Sequence, residues 1–240
     1  MVNRMSGLAW IAPLAMVAAL GAIFGYAPVE ATMGIVQKIF YVHVSSAIAA
    51  YVGFTLCCLA SIAYLLSGNR TADVVARAGA EVGVLFCAFV LISGPMWARK
   101  AWGTWWTGEP RLMLTLIAVL IFVAYLVVRA VGGKSETTRR ICAALAILGV
   151  ADIPLVRVAV TKWRGNHPRV LRNGGISDEM ELALTVTFVA ILLLFVTLVW
   201  LRVRVGLAEE AIDRLHRLAT ARGYDIEDRR KSPTVETSHA

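Results

Sequence analysis

Apolar residues are concentrated in six long runs along the chain. They cover residues 8–26, 39–66, 74–96, 112–131, 141–160 and 180–201. A helix needs about 20 such residues to cross a hydrocarbon core of about 30 Å. The pattern therefore predicts an all-α, polytopic membrane protein with six transmembrane helices. The second run is longer than one crossing requires, which predicts a tilted helix or one that projects beyond the bilayer.

The basic residues between the runs predict the orientation. Most Lys and Arg residues fall on the side that holds the two termini, and this side is expected to be cytoplasmic. We expect a membrane domain over 1–203 with outer loops at 27–38, 97–111 and 161–177. The remaining 204–240 would be a cytoplasmic tail, with a short helix over 207–222 that ends at Gly223 and a disordered end.

Composition supports a membrane protein. Of the 240 residues, 58% are hydrophobic and 17% charged. The net charge of +8 comes from short clusters between apolar runs, a pattern typical of membrane topology signals and not of nucleic-acid binding. The four cysteines lie in or beside apolar runs without a C-x-x-C pair, so we interpret them as core residues. Neither a hydrolase triad nor a phosphate-binding loop is recognisable, so no enzyme is predicted.

The segment 97–111, between the third and fourth runs, holds four of the seven tryptophans. Indole rings are common at membrane interfaces. Four within ten residues exceed what an interfacial belt needs, so we interpret them as a stacking platform for a flat aromatic ligand.

Two histidines are predicted on the same side as the tryptophans. His43 lies near the outer end of the second run, and His167 lies in the last outer loop. One interfacial histidine is more often a structural hydrogen-bonding residue, but two that converge on an aromatic loop favour axial ligation of heme iron. His216 and His239 are expected on the opposite side, exposed to solvent.

Other charged residues have two interpretations each. Cations near the platform could contact lipid headgroups or pair with heme propionates; these are Arg99, Lys100, Arg111, Lys162, Arg164, Arg169 and Arg172. Arg111 adjoins the platform and is the first choice for a propionate. Glu81 and Asp152 fall inside apolar runs, where a charge is costly. Glu81 can pair with Arg77 one turn away, and Asp152 precedes Pro154, so both are interpreted as structural.

The sequence WGTWWTGEPRL at 102–112 resembles the tryptophan-rich (WWD) signature of heme-handling proteins of cytochrome c biogenesis. Within that group, the six runs and two outer histidines are most similar to the CcmC family. Three further segments are similar to family segments: 39–44 around His43, 81–83, and 150–157 followed by Trp163 and His167. The chain departs from the usual pattern at Gly108 and Glu109, where the family has an aromatic residue and an aspartate. It also has Ser45 instead of a proline, and one tryptophan, Trp163, instead of a pair.

The resemblance implies a site for a transiently bound b-type heme. His43 and His167 would be the axial ligands, and Arg111 would meet a propionate. Gly103 would let the backbone approach the ring. The remaining residues of the implied heme site are Trp97, Trp102, Trp105, Trp106, Glu109 and Pro110.

The resemblance also implies partners. Heme would pass to the periplasmic chaperone CcmE, in a complex with the ATPase CcmA, the membrane subunit CcmB and the small helical protein CcmD, in the bacterial inner membrane. Two alternatives stay open: an electron-transfer cytochrome b, and a permease subunit for another solute that binds no heme.

Overall fold

The computed structural model describes residues 6–163, 167 and 175–222. These residues form six long helices and no strand: α1 (Ser6–Gly21), α2 (Ile39–Ser67), α3 (Arg70–Trp102), α4 (Pro110–Val131), α5 (Glu136–Lys162) and α6 (Asp178–Ala221). A π-helical turn, Ala22–Tyr26, continues α1, and a 3-10 turn, Ile35–Lys38, leads into α2. The expected all-α fold is confirmed.

Four segments of the described chain are long and apolar enough to cross a membrane: Ile35–Ser67, Arg70–Trp102, Pro110–Val131 and Asp178–Ala221. A shorter apolar helix covers Trp10–Tyr26. The protein is therefore a polytopic helical membrane protein. That α1 and α5 also cross, giving six spans with both termini on one side, stays a prediction.

Side-chain caps set several helix starts. The Ser177 hydroxyl accepts a hydrogen bond from the Met180 N–H at 3.4 Å and so caps α6. Asn69 and Ser135 cap α3 and α5 in the same way. Backbone donors that would otherwise lack partners in the first turns are thereby satisfied.

Two helices extend further than expected. The predicted loop at 97–111 was too long, because α3 runs through Trp102 and α4 begins at Pro110. The tail helix expected over 207–222 is helical as far as Ala221, but it is the continuation of α6, which runs without a break from the last apolar run. Gly206 does not interrupt α6: an added Cβ there would lie 2.6 Å from Val74 Cγ1, so its small size serves packing against α3. Gly223 lies outside the described residues.

Helices α2 and α3 approach each other so closely that their backbones touch. A Cβ placed on Gly53 would lie 2.8 Å from the Cα of Gly83 and 2.9 Å from the carbonyl oxygen of Gly79. Such contacts between small residues are typical of helix pairs in membranes, where close van der Waals packing drives association. Gly53, Gly79 and Gly83 therefore fix the distance between α2 and α3.

Ion pairs hold the helices together at one end of the bundle. Asp73 on α3 is buried and pairs with Arg129 on α4, at 2.5 Å, and with Arg139 on α5. Arg139 also pairs with Glu210 on α6 at 3.0 Å. We call these four residues the ion-pair cluster. Because each charge has a partner of opposite sign, the desolvation cost of burying these charges is compensated.

Glu81 forms ion pairs within α3 and with α6, which agrees with the structural role that the sequence predicted. Its carboxylate pairs with Arg77 at 3.0 Å and accepts a hydrogen bond from Arg202 of α6 at 2.9 Å. The four cysteines are free and buried, which confirms their interpretation as core residues. His216 is exposed, as expected, and His239 lies outside the described residues.

Gly53→Ala should destabilise the protein, because the added methyl group meets backbone atoms that cannot rotate away. Overpacking of this kind costs about 1–3 kcal/mol. Gly21→Ala is the matched control, since an added Cβ at Gly21 meets nothing within 4 Å. Thermal unfolding in detergent, followed by circular dichroism, measures the difference. Equal midpoints for the two variants would contradict the proposed backbone contact.

Candidate ligand site

A cavity of about 350 Å³ lies at the end of the bundle opposite the ion-pair cluster. Its walls come from α2, α3, the start of α4 and the loops that follow α3 and α5. Seven of the residues that line it were singled out in the sequence: His43, Trp97, Trp102, Trp105, Trp106, Arg111 and His167. Trp105 is 58% exposed, so the cavity is open at this edge. The structure thus brings together side chains that are up to 124 positions apart in the sequence.

His43 lies in the second turn of α2 and is held from α3. Its Nδ1 atom is 2.9 Å from the hydroxyl oxygen of Ser93. Gly94, next to Ser93, leaves room for the ring, since an added Cβ there would lie 3.2 Å from His43 Cε1. The position of this imidazole is therefore set by two residues of the neighbouring helix.

His167 reaches the cavity from the segment between α5 and α6. Its Nδ1 lies 3.8 Å from Oε1 of Glu109, the residue that precedes α4. Burial lowers the pKa of His167 to about 3, with further contributions from the positive charge of Arg111 and from His43. At neutral pH the ring is therefore uncharged, which is the form of imidazole that binds metals.

The tryptophans occupy two kinds of position. Trp97 and Trp102 lie in the last turns of α3 and meet edge to face, with ring centroids 5.5 Å apart. The Trp97 indole N–H donates to Gln37 Oε1 at 3.4 Å. Trp105 and Trp106 follow in the short loop 103–109. The expected aromatic wall is thus built partly on a helix, which orients Trp97 and Trp102 more firmly than a loop would.

Three predicted site residues do not line the cavity. Gly103 ends α3 with φ at 72°, a left-handed conformation that glycine adopts easily. Glu109 and Pro110 are the N-cap and first residue of α4, and proline is favoured at that first position. These three residues shape the loop that carries Trp105 and Trp106. Gly108 also has a left-handed φ, of 67°, a conformation that glycine adopts easily.

The cations near the cavity differ in environment. Arg111 lines the cavity, whereas Arg99, Lys100 and Lys162 are exposed. Arg99 donates to the carbonyl oxygen of Gly103 and so helps to close α3. Arg164, Arg169 and Arg172 lie outside the described residues. Among the described cations that the sequence singled out, Arg111 alone lines this cavity.

Sequence reasoning missed several residues of the site. Gln37, Tyr51 and Thr115 line the cavity, and Ser93 and Gly94 hold His43. A signal existed for Tyr51, which follows His43 by eight residues and so shares its helix face. Ser93 and Gly94 carried no such signal, because their role depends on the register between α2 and α3.

Together the fold and the cavity define a class: a polytopic helical membrane protein with a cavity lined by aromatic residues and histidines at one end of its bundle. The family model described as CcmC, heme exporter protein C, matches residues 2–217. The chain belongs to this family.

Relatives named heme exporter protein C extend this finding. The Bradyrhizobium diazoefficiens protein is 33% identical over 177 residues, which are 72% of this chain and 67% of that relative. The Rhodobacter capsulatus protein is 27% identical over 223 residues, covering 88% and 92% of the two chains. The Escherichia coli K12 protein is 27% identical over 182 residues, covering 75% and 74%.

Proposed function

We propose that the cavity binds heme transiently, as cargo, with His43 and His167 as its axial ligands. The observation that carries this proposal is that two histidines from distant parts of the chain line one cavity together with four tryptophans. Two neutral imidazoles on opposite faces of a porphyrin complete six-coordinate iron. The low pKa of His167 supports this, because the ring needs no deprotonation before it binds.

The other cavity residues suit the rest of the heme molecule. Trp97, Trp102, Trp105 and Trp106 offer aromatic surface to the porphyrin. Arg111 offers a guanidinium to a propionate, with which it can form two parallel hydrogen bonds. In this proposal Gly103, Glu109 and Pro110 serve the heme site indirectly, since they end α3, begin α4 and so position the tryptophan loop.

In the cell, the protein would present heme for c-type cytochrome biogenesis in the bacterial inner membrane. All six helices of a 1–203 membrane domain would cross, with both termini and the 204–240 tail in the cytoplasm and the cavity facing the periplasm. Heme would pass to the chaperone CcmE, and CcmA, CcmB and CcmD would complete an ABC-transporter-linked complex. Family membership supports this assignment. The protein's own part would be ligand exchange without bond chemistry, so it would not be an enzyme.

His43→Ala and His167→Ala should each lower heme affinity by about tenfold or more, equivalent to at least about 1.4 kcal/mol. Each should also remove the low-spin spectrum of bis-histidine heme. Titration of the purified protein with hemin, followed at the Soret band, measures both effects. His216→Ala, at an exposed position on α6, is the control and should match the wild type. If neither cavity substitution changed heme occupancy, the assignment of His43 and His167 as axial ligands would be refuted.

Arg111→Met should weaken binding of hemin but not of hemin dimethyl ester, because the ester lacks the propionate charges. Removal of one partner from a desolvated charge pair costs about 2–5 kcal/mol. The wild type should therefore prefer hemin over the ester, and the variant should lose the preference. Arg99→Met is the control, since Arg99 is exposed and bonded to Gly103. A wild type that binds both ligands equally would exclude a propionate contact at Arg111.

A heme-transfer experiment distinguishes heme delivery from the alternative functions. Protein loaded with ferric heme should pass intact heme to a purified CcmE-type chaperone, and not to an unrelated periplasmic protein, as followed by the spectra of the separated proteins. Reduction of the bound heme by a quinol without transfer would instead support a cytochrome b. Purified protein without a Soret band, even after hemin is added, would support a permease subunit for another solute.

A further inference from the structure

We infer that Ser93 is a positioning residue that holds His43 in the tautomer with its proton on Nδ1, so that Nε2 keeps a free lone pair for a ligand in the cavity. This inference rests on the proposed heme site for its functional meaning. The hydrogen-bond arrangement itself can be tested on the protein without heme.

The Ser93 hydroxyl has a single proton to donate. Its oxygen lies 2.8 Å from the carbonyl oxygen of Phe89, one turn earlier on α3, and 2.9 Å from His43 Nδ1. A carbonyl oxygen can only accept. If the hydroxyl donates to Phe89, its oxygen must accept from the imidazole, and the proton of the His43 ring is then on Nδ1.

Burial restricts the hydrogen-bond partners of the Ser93 hydroxyl. Ser93 is 5% exposed, so its hydroxyl has little access to water. The arrangement in which Ser93 donates to Phe89 and accepts from His43 gives the Nδ1–H of His43 and the Ser93 hydroxyl one partner each. In the opposite tautomer, Ser93 would have to abandon its bond to Phe89 in order to donate to Nδ1. The bond within α3, at a common geometry for serine in helices, favours the first arrangement.

Helix α3 covers one edge of the His43 ring. An added Cβ on Gly94 would lie 3.2 Å from His43 Cε1 and 3.9 Å from Nδ1. Ser93 and Gly94 thus occupy the Nδ1–Cε1 edge from the α3 side, while His43 also lines the cavity. Nε2 is the ring nitrogen left to face a ligand.

The group beside His43 Nδ1 is a neutral hydroxyl and not a carboxylate. A histidine that binds a metal usually donates its second N–H to another group, which fixes the tautomer and the ring orientation. A carboxylate in that place would also raise the basicity of the imidazole. A neutral hydroxyl orients the ring without adding negative charge, which suits a site that must release its cargo.

The test is nuclear magnetic resonance of the full-length, heme-free protein in detergent, with ¹⁵N-labelled histidine. The resonances of His43 are assigned by their loss in His43→Ala. We expect a neutral ring protonated at Nδ1 in the wild type. Ser93→Ala should give a mixture of tautomers, and Ser93→Thr, which keeps the hydroxyl, should restore the wild-type pattern. Circular dichroism and thermal midpoints establish that the variants are folded.

Two results would overturn the inference: protonation at Nε2 in the wild type, or a tautomer unaffected by Ser93→Ala. Hemin titration of the same variants supplies the functional readout. Loss of such a supporting hydrogen bond typically weakens metal binding 10- to 100-fold, so we expect a loss of that size in Ser93→Ala and recovery in Ser93→Thr. If the tautomer is as expected but the wild type binds no hemin, the proposed heme site fails while the arrangement at Ser93 stands.

Discussion

The contact between the backbones of α2 and α3 is the constraint on which the geometry of the cavity depends. Gly53 on α2 meets Gly83 on α3. His43, ten residues before Gly53, meets Ser93, ten residues after Gly83. Ten helical residues rise by about 15 Å. The same antiparallel register therefore holds from the glycine contact to the cavity. A wider or shifted helix pair would separate His43 from both Ser93 and Gly94.

The two ends of the bundle differ in how their charged residues are arranged. At one end Asp73, Arg129, Arg139 and Glu210 neutralise one another and join four helices. At the other end the cavity has mainly apolar and aromatic walls, a guanidinium from Arg111 and two imidazoles. Compensated charges stabilise the assembly of helices, whereas a cavity with a cation can receive an anionic, aromatic ligand. The ion-pair cluster and the cavity are therefore at opposite ends of the bundle.

Much of the fold and the site could be predicted because the signals are local. Apolar runs identified the helices, and the density of tryptophans identified the aromatic wall. The C-terminal ends of α3 and α6 lie further along the chain than the apolar runs predicted. Residues 97–102 contain no helix breaker, so α3 continues until Gly103. Gly206 lies within α6, and its small size is required by the close approach of Val74. Such long-range contacts leave no local pattern.

By itself, the sequence determined that this chain is a helical membrane protein, and its tryptophans and histidines predicted a site for a flat, metal-bearing ligand. Length, hydropathy and residue chemistry are properties of the chain and need no partner. The tertiary structure alone decided that His43, His167 and Arg111 share one cavity, and that Ser93 and Gly94 hold His43. These facts depend on how helices pack and in which register. Packing is fixed by contacts between residues far apart in the sequence, such as Gly53 and Gly83.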